Sequence, residues 1–364
     1  MHGVKRERTT AQAKAARKAK EAARLEAYLA VEAKFFEYRD ANVLSHEALD
    51  STTQLLSLNP EFFSAWNYRR AILSHLFKTA AEGQNDTEGE EGQASRTTAL
   101  LQDDLELTMH ALRAHPKVYW IWSHRTWCLE QLPDPKRDGK KWKAELKLAE
   151  HMLELDPRNF HGWDYRRFLL LRLSQALDPT SSNAEFPDAL PIELLKQELA
   201  YTLQKIEANF SNFSAWHHRS KCLPALWERE QTGGQGKAKQ RDAEFELIRQ
   251  AMYTDPSDSS IWIYHRWLIA RELEEGPEVG PNRGGPVLQS EVAVIEELLE
   301  MEPESKWCLD TLAHYKTLQR AQLTNEGDAS RRDELTSHIH KLLTTLISVD
   351  PLRQHRYEDW QTSL

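Results

Sequence analysis

Long apolar runs are missing from this 364-residue chain: the longest, Ala27–Val31 and Val118–Trp122, have five residues each. That excludes a transmembrane helix, which needs about 20 apolar residues, and also a signal-peptide core. Cysteine is scarce. Cys128, Cys222 and Cys308 lie too far apart for a disulfide framework or a CxxC knuckle, so a reducing, cytoplasmic setting is expected. Phosphate-loop, dinucleotide, zinc-protease and serine-elbow motifs are absent, as are paired Cys/His clusters with zinc-finger spacing. Positive charge is also short: 47 Lys+Arg against 56 Asp+Glu leave a formal net charge of −9. That balance argues against a chain-wide nucleic-acid surface and against a helical-repeat RNA reader. His217–His218 make a poor metal pair, because adjacent helical side chains point about 100° apart, and His338/His340, two apart, lie on nearly opposite faces. They read as core or surface histidines.

Tryptophan is the residue in surplus, with twelve against ten Tyr and eleven Phe. Five related blocks carry it: NPEFFSAWNYRR at Trp66, HPKVYWIWSHR at Trp122, DPRNFHGWDYRR at Trp163, NFSNFSAWHHR at Trp216 and DPSDSSIWIYHR at Trp262. A weaker sixth lies at Trp307. Successive spacings of 56, 41, 53, 46 and 45 residues are uneven for a propeller and ordinary for a helical array. Four of the five blocks place proline six residues before the tryptophan. Asn, His or Asp followed by proline predicts a helix starting at the proline, with the tryptophan in its second turn.

Along that helix Trp66, Arg69, Leu73 and Leu76 recur as Trp122, Arg125, Leu129 and Leu132, then as Trp163, Arg166, Leu170 and Leu173. A fourth set is Trp216, Arg219, Leu223 and Leu226. Offsets of 3, 7 and 10 place each set on one helical stripe. The fifth copy carries His265 in the arginine position and moves the arginine to Arg266. Upstream of each turn lies an apolar pair seven apart: Leu49/Leu56, Leu105/Leu112, Leu146/Leu153, Leu199/Ile206 and Phe245/Met252. Each unit is therefore a helical hairpin that buries its second face only against the next. An all-α solenoid is predicted.

Acidic or Gly-, Pro- and Ser-rich stretches at Glu82–Gln93, Asp178–Pro191, Thr232–Lys237 and Gly276–Pro286 fall between hairpins. They would project from one rim of a stacked array and leave the short turns on the other as the candidate interface. Lys5–Tyr28 carries eight basic and three acidic residues. Such a helix suits nucleic acid or an import signal; the plainer reading is a solvated lead-in helix. The predicted organisation is a basic lead-in over residues 1–30 and one helical-repeat domain over 31–364.

A buried guanidinium is costly unless carboxylates or carbonyls satisfy it. Because the arginine recurs in the repeats, its expected role is architectural, tying one hairpin to an acid or carbonyl of its neighbour. A reaction site requires something found in one copy. The residue after the proline is Glu61, Lys117, Arg158 or Ser257. Lys117 and Arg158 put cations where a helix start disfavours them, and free N–H groups there suit a phosphate or other polyanion. A solvated lysine in the same place costs only tenths of a kcal/mol. Tyr119 either adds a hydroxyl donor or packs on the next hairpin.

The Pro-(x)5-Trp-x-x-Arg blocks resemble the repeats of protein prenyltransferase α subunits from about Leu44 to the end. RNFHGWDYRRF, NFSNFSAWHHRSKCLP and YTDPSDSSIWIYHRWL resemble the type-2 geranylgeranyltransferase (Rab geranylgeranyltransferase) α subfamily. The Met1-His2-Gly3 start, KWCLDTL at Trp307 and VDPLR at Val349 fit it as well. The match is to a compact form, without inserted immunoglobulin-like or leucine-rich-repeat domains. The resemblance implies a right-handed solenoid bent into a crescent around a β subunit, in an obligate heterodimer. That β subunit would hold the zinc and the lipid pocket. The implied reaction moves geranylgeranyl from geranylgeranyl diphosphate to C-terminal cysteines of Rab GTPases brought by a Rab escort protein. No nucleic acid and no stable membrane insertion are implied. The family's diphosphate-binding lysine and its tyrosine partner match Lys117 and Tyr119. His2 has two readings: a terminal imidazole that reaches the partner's zinc as an inhibitory fourth ligand, or an ordinary disordered terminus. Arg158 matches no such role. The competing classes are the shared α subunit of farnesyl and type-1 enzymes, which these blocks fit less well, and a TPR-like scaffold, whose 34-residue period the spacings do not keep.

Overall fold

The computed structural model describes residues 10–82, 90–133, 138–178, 184–230, 233–274, 284–323 and 326–364. His2 and parts of all four loop stretches named above lie outside the described residues. Within them are fifteen α-helices and no strand. A lead helix α1 (Ala11–Asp40) precedes the hairpins α2 (His46–Leu58) with α3 (Phe63–Glu82), and α4 (Glu90–Ala114) with α5 (Tyr119–Gln131). Then come α6 (Lys140–Leu155) with α7 (Phe160–Leu177), and α8 (Ile192–Ala208) with α9 (Phe213–Arg229). The series continues with α10 (Gly233–Thr254) and α11 (Ser259–Glu274), α12 (Gly284–Met301) and α13 (Lys306–Gln322), and α14 (Ala329–Val349) and α15 (Gln354–Thr362). The chain divides into two compact units, residues 1–154 with 159–177, and 155–158 with 178–364. Among the described residues no helix is long and apolar enough to cross a membrane.

In the first unit α1 starts at Thr10, whose hydroxyl caps the Ala13 amide at 3.2 Å, and runs past residue 30 before stopping at Asp40. Asn42, with φ of 52°, takes the left-handed position that ends it. The exposed, basic N-terminal part gives way to a buried part at Phe35, which meets Phe62 and Tyr68 edge-on. The Tyr68 hydroxyl donates to the carbonyls of Tyr38 and Val43, fastening the end of α1 to α3. In the second unit α9 packs on α8 and α11, and α13 on α11, α12 and α14.

The short turns correct the predicted helix starts. Pro60, Pro116 and Pro256 lie in four-residue turns between helices, and each following helix begins three residues after the proline. Trp66, Trp122, Trp216 and Trp262 thus stand in the first turn of their helices. Each buried indole N–H reaches back to the carbonyl six residues earlier: Pro60, Pro116, Phe210 and Pro256, at 2.8 to 2.9 Å. The constant spacing therefore serves a carbonyl, which explains why the fourth copy manages with Phe210 in place of proline. The indole fills the hairpin and satisfies a turn carbonyl at once.

The same count locates the last repeats. Six residues after Pro303 is Leu309, 2% exposed, and six after Pro351 is Tyr357, also 2% exposed. The sixth repeat is therefore centred on Leu309, with Trp307 only half-buried beside the stripe, and a seventh is formed by α14 and α15. Leu309, Ala313, Ile339, Leu343, Leu346 and Tyr357 make one core cluster there.

Candidate functional site

The stripe arginines meet the predicted kind of partner. Arg69 places Nε and Nη2 on the two oxygens of Asp104, at 2.6 and 2.9 Å, and Nη1 on the Leu49 carbonyl and the Thr52 and Thr53 hydroxyls. Arg125 does the same with Glu145, at 2.5 and 2.9 Å, and with the Leu105 carbonyl and Thr108. Arg219 grips Glu244 through Nε and Nη2, and the Leu199 carbonyl and Thr202 through Nη1. Each arginine thus joins the A helix of its own hairpin to the acid of the next. In the third repeat the position after Leu146 taken elsewhere by threonine is Ala149, and Arg166 bonds Glu150 instead.

Asp104, Glu145, Glu198 and Glu244 stand immediately before the first member of an apolar pair, and Glu291 takes the same place before Val292 on α12. The residue two after the tryptophan binds the acid of its own hairpin: His124 to Asp104 at 2.7 Å, Tyr165 to Glu145 at 2.7 Å, His218 to Glu198 at 2.9 Å and Tyr264 to Glu244 at 2.8 Å. The first hairpin carries Ala48 in the acid position, and no stripe arginine precedes it.

Arg266 does not replace the stripe arginine. His265 keeps the stripe position, fully buried, with Nε2 on Glu291 at 3.0 Å and Nδ1 on the Tyr315 hydroxyl at 2.6 Å. Arg266 instead reaches Asp310 and Thr311 on α13, at 2.5 and 3.0 Å. Its register counterpart is Arg70, which reaches Ser123 and His124 on α5.

Asp104, His124 and Cys128 bring three potential ligand atoms within 4.8 Å of one another. They do not fit a zinc ion. Arg69 occupies both Asp104 oxygens, and Arg70 donates to His124 Nδ1, so the neutral ring donates through Nε2 to Asp104. Burial raises the Cys128 thiol far above its ordinary value, and two guanidinium groups already supply the positive charge.

Lys117 and Tyr119 occupy the turn before α5 and the first position of that helix. Lys117 is exposed and Tyr119 is 57% exposed. Lys117 thus precedes the helix, so a cation there is not inside its first turn. The Val118 amide closes the turn on the His115 carbonyl at 3.2 Å. The Tyr119 ring lies 5.5 Å from Trp120, edge-on, and 6.2 Å from His161.

Two residues of the next hairpin, unmarked in the sequence reading, hold this turn. Asn159, 3% exposed, donates through Nδ2 to the Pro116 carbonyl at 3.0 Å, and the His161 ring donates to the Lys117 carbonyl. Burial keeps the His161 pKa below the ordinary imidazole value, against the pull of Asp164 and that carbonyl. Between α5 and α7 an open groove of about 210 Å³ is lined by Tyr119, Trp122, Ser123, Thr126, His161, Asp164, Tyr165 and Phe168. A groove of about 220 Å³ in the same register lies between α9 and α11, lined by Phe213, His217, Lys221, Ile263 and Trp267 among others. Arg158 is exposed in its own turn and its amide bonds Asp156.

The family described as protein prenyltransferase alpha subunit repeat matches residues 45–76, 101–132, 142–173, 195–226 and 241–272, the five tryptophan hairpins. The geranylgeranyl transferase type-2 subunit alpha of Schizosaccharomyces pombe is 34% identical over 100% of this chain and 98% of that protein. The Candida albicans protein of the same name is 30% identical over 98% of this chain and 96% of its own length. Its rat namesake is 36% identical over 74% of this chain, which covers 42% of the rat protein. Among solved structures, Candida albicans protein geranylgeranyltransferase-I complexed with GGPP superposes with a TM-score of 0.60 at 19% identity. That match covers 93% of this chain and 90% of the other, and carries the fold alone. The chain belongs to the protein prenyltransferase α subunit family, within the group of relatives named geranylgeranyl transferase type-2 subunit alpha.

Proposed function

We propose that this chain is the α subunit of a type-2 protein geranylgeranyltransferase, active with a β subunit. In this reading it acts on Rab GTPases presented by an escort protein and works in the cytoplasm. The observation that carries the site reading is the exposed Lys117–Tyr119 turn, steadied by Asn159 and His161, in a chain whose full-length relatives bear that enzyme's name.

In this reading the β subunit, and no residue of this chain, would hold a zinc ion that would supply an acidified substrate cysteine, whose sulfur displaces diphosphate at C1 of geranylgeranyl diphosphate. This chain's part is electrostatic. As the C–O bond breaks, negative charge builds on the leaving diphosphate, and an ammonium and a hydroxyl fixed beside it lower the barrier. Lys117 supplies the charge and Tyr119 the hydroxyl. Lys117 stands on a turn whose carbonyls are already occupied and Tyr119 at the first position of the helix that follows it, so little reorganisation is required when the charge develops.

Co-expression with a candidate β chain, followed by single-turnover prenyl transfer, tests this. Lys117→Ala is expected to slow transfer by roughly 10²- to 10³-fold, the usual effect of removing one such donor. Wild-type transfer by Lys117→Ala would overturn the site. Comparing a Rab tail with and without escort protein against a CaaX peptide separates the type-2 reading from the shared farnesyl/type-1 α subunit. A chain that stays monomeric beside every candidate β subunit would instead be a TPR-like scaffold.

A further inference from the structure

The Lys117 turn is held from outside its own hairpin, and the residue that does most of this is Asn159. Its side chain works in two directions. Oδ1 accepts the His161 backbone amide at 3.1 Å, capping the start of α7, while Nδ2 donates to the Pro116 carbonyl at 3.0 Å. These partners fix the amide orientation: the cap requires oxygen on one side and the carbonyl requires N–H on the other. Pro116 O already accepts the Trp122 indole at 2.9 Å, so both of its acceptor positions are used. The peptide immediately before Lys117 is therefore gripped by α5 and α7 together.

The fourth repeat supplies a built-in comparison. Asn212 holds the same position four residues before its tryptophan and caps α9 by accepting from the Ala215 amide at 3.2 Å. Its Nδ2, equally buried, has no hydrogen-bond partner. Capping therefore accounts for an asparagine at either position. The contact to a neighbouring turn carbonyl distinguishes Asn159, and that turn bears Lys117.

We propose that Asn159 is a positioning residue for the diphosphate site: by holding the Pro116 carbonyl it fixes where the Lys117–Tyr119 turn presents its cation and hydroxyl. This rests on the functional reading above. Asn159 itself contacts neither substrate nor reacting atoms. Its effect is transmitted through Lys117, and a misplacement of about 1 Å in such a group is enough to cost about a hundredfold.

The test uses the complex with the β subunit. Serine caps a helix almost as well as asparagine and is too short to keep the second bond. Asn159→Ser is expected to slow single-turnover transfer by about tenfold to a hundredfold, while Asn212→Ser stays within about twofold. In a Lys117→Ala background, Asn159→Ser should add only a much smaller loss, the part carried by Tyr119, because the cation it positions is gone. Wild-type transfer by Asn159→Ser, or an equal added loss in the Lys117→Ala background, overturns the proposal. Hydrogen exchange at the Val118 amide gives a readout independent of activity. Faster exchange in Asn159→Ser and not in Asn212→Ser supports the positioning role even if Lys117→Ala proves fully active and the functional reading falls. Unchanged exchange sinks it.

Discussion

Arg125 on α5 and Glu145 on α6 face each other across the junction between two hairpins, with two parallel bonds of 2.5 and 2.9 Å between buried groups. The Tyr165 hydroxyl takes the same carboxylate from the third side. Removing one partner therefore strands two others.

Arg125→Ala or Glu145→Gln is expected to destabilise by about 3–5 kcal/mol, since either leaves a buried group unpaired. Replacing both with apolar residues of similar volume, as in Arg125→Met with Glu145→Leu, should recover much of that loss. Thermal midpoints of the two single variants and the double variant check this. A double variant as unstable as the sum of the singles would contradict the pairing.

Arg219→Ala should cost more than Arg266→Ala. The Arg219 head is buried with two bonds to Glu244 and two to α8, whereas the Arg266 side chain is 27% exposed and bonded through one nitrogen. About 3–5 kcal/mol against roughly 1 kcal/mol is expected. Equal denaturation midpoints would return Arg266 to the stripe role.

Trp262→Phe keeps most of the ring volume and deprives the Pro256 carbonyl of its donor. A loss of about 1–3 kcal/mol follows for an unsatisfied buried acceptor. The second unit bears that loss, so Lys117-dependent transfer by the folded fraction should stay unchanged. A selective fall in that transfer would count against the turn-carbonyl account.

Stability should fall in two stages as the solution is acidified. Burial lowers the pKa values of His124, His161 and His314, so these rings contribute stability in full above about pH 6.5, the unfolded value, and lose it as pH drops below that. Burial alone would raise the Asp104 and Glu291 carboxyls, but bonds from His124 and Arg69, and from His265 and Arg249, outweigh it. Their depressed values give stability that is complete above about pH 4 and lost below. Denaturant midpoints measured from pH 8 to 3 should show both steps, with His124→Gln flattening part of the first. A flat profile from pH 7 to 4.5 would refute it.

Much of this was legible in the residue order. The tryptophan spacing, the Trp-Arg-Leu stripe and the apolar pairs gave six hairpins in the right sequence, because periodic burial leaves periodic residues. The acids escaped notice since each stands beside an apolar position, where charge reads as solvated surface; only three-dimensional pairing shows Asp104 or Glu244 to be interior. The proline was misread as a helix start because a β-turn and a first helical turn accept it equally well. Trp307 attracted attention by its type, while the true register, counted from Pro303, passes through Leu309. Lys117 and Tyr119 stood out by chemistry and by family pattern. Asn159 did not, because an asparagine ahead of a helix is already explained as a cap.

The ladder of shared carboxylates changes where the molecule can be cut. Arg69, Arg125 and Arg219 each belong to one sequence repeat and their acids to the next, so in these three places strong bonds join the second helix of one repeat to the first helix of its successor. Ending the chain after α9 would leave Arg219 without Glu244, although the boundary looks clean in the sequence. Shuffling or grafting of these repeats should therefore succeed at the turns within hairpins and fail at the loops between them, where the variable segments most invite a splice.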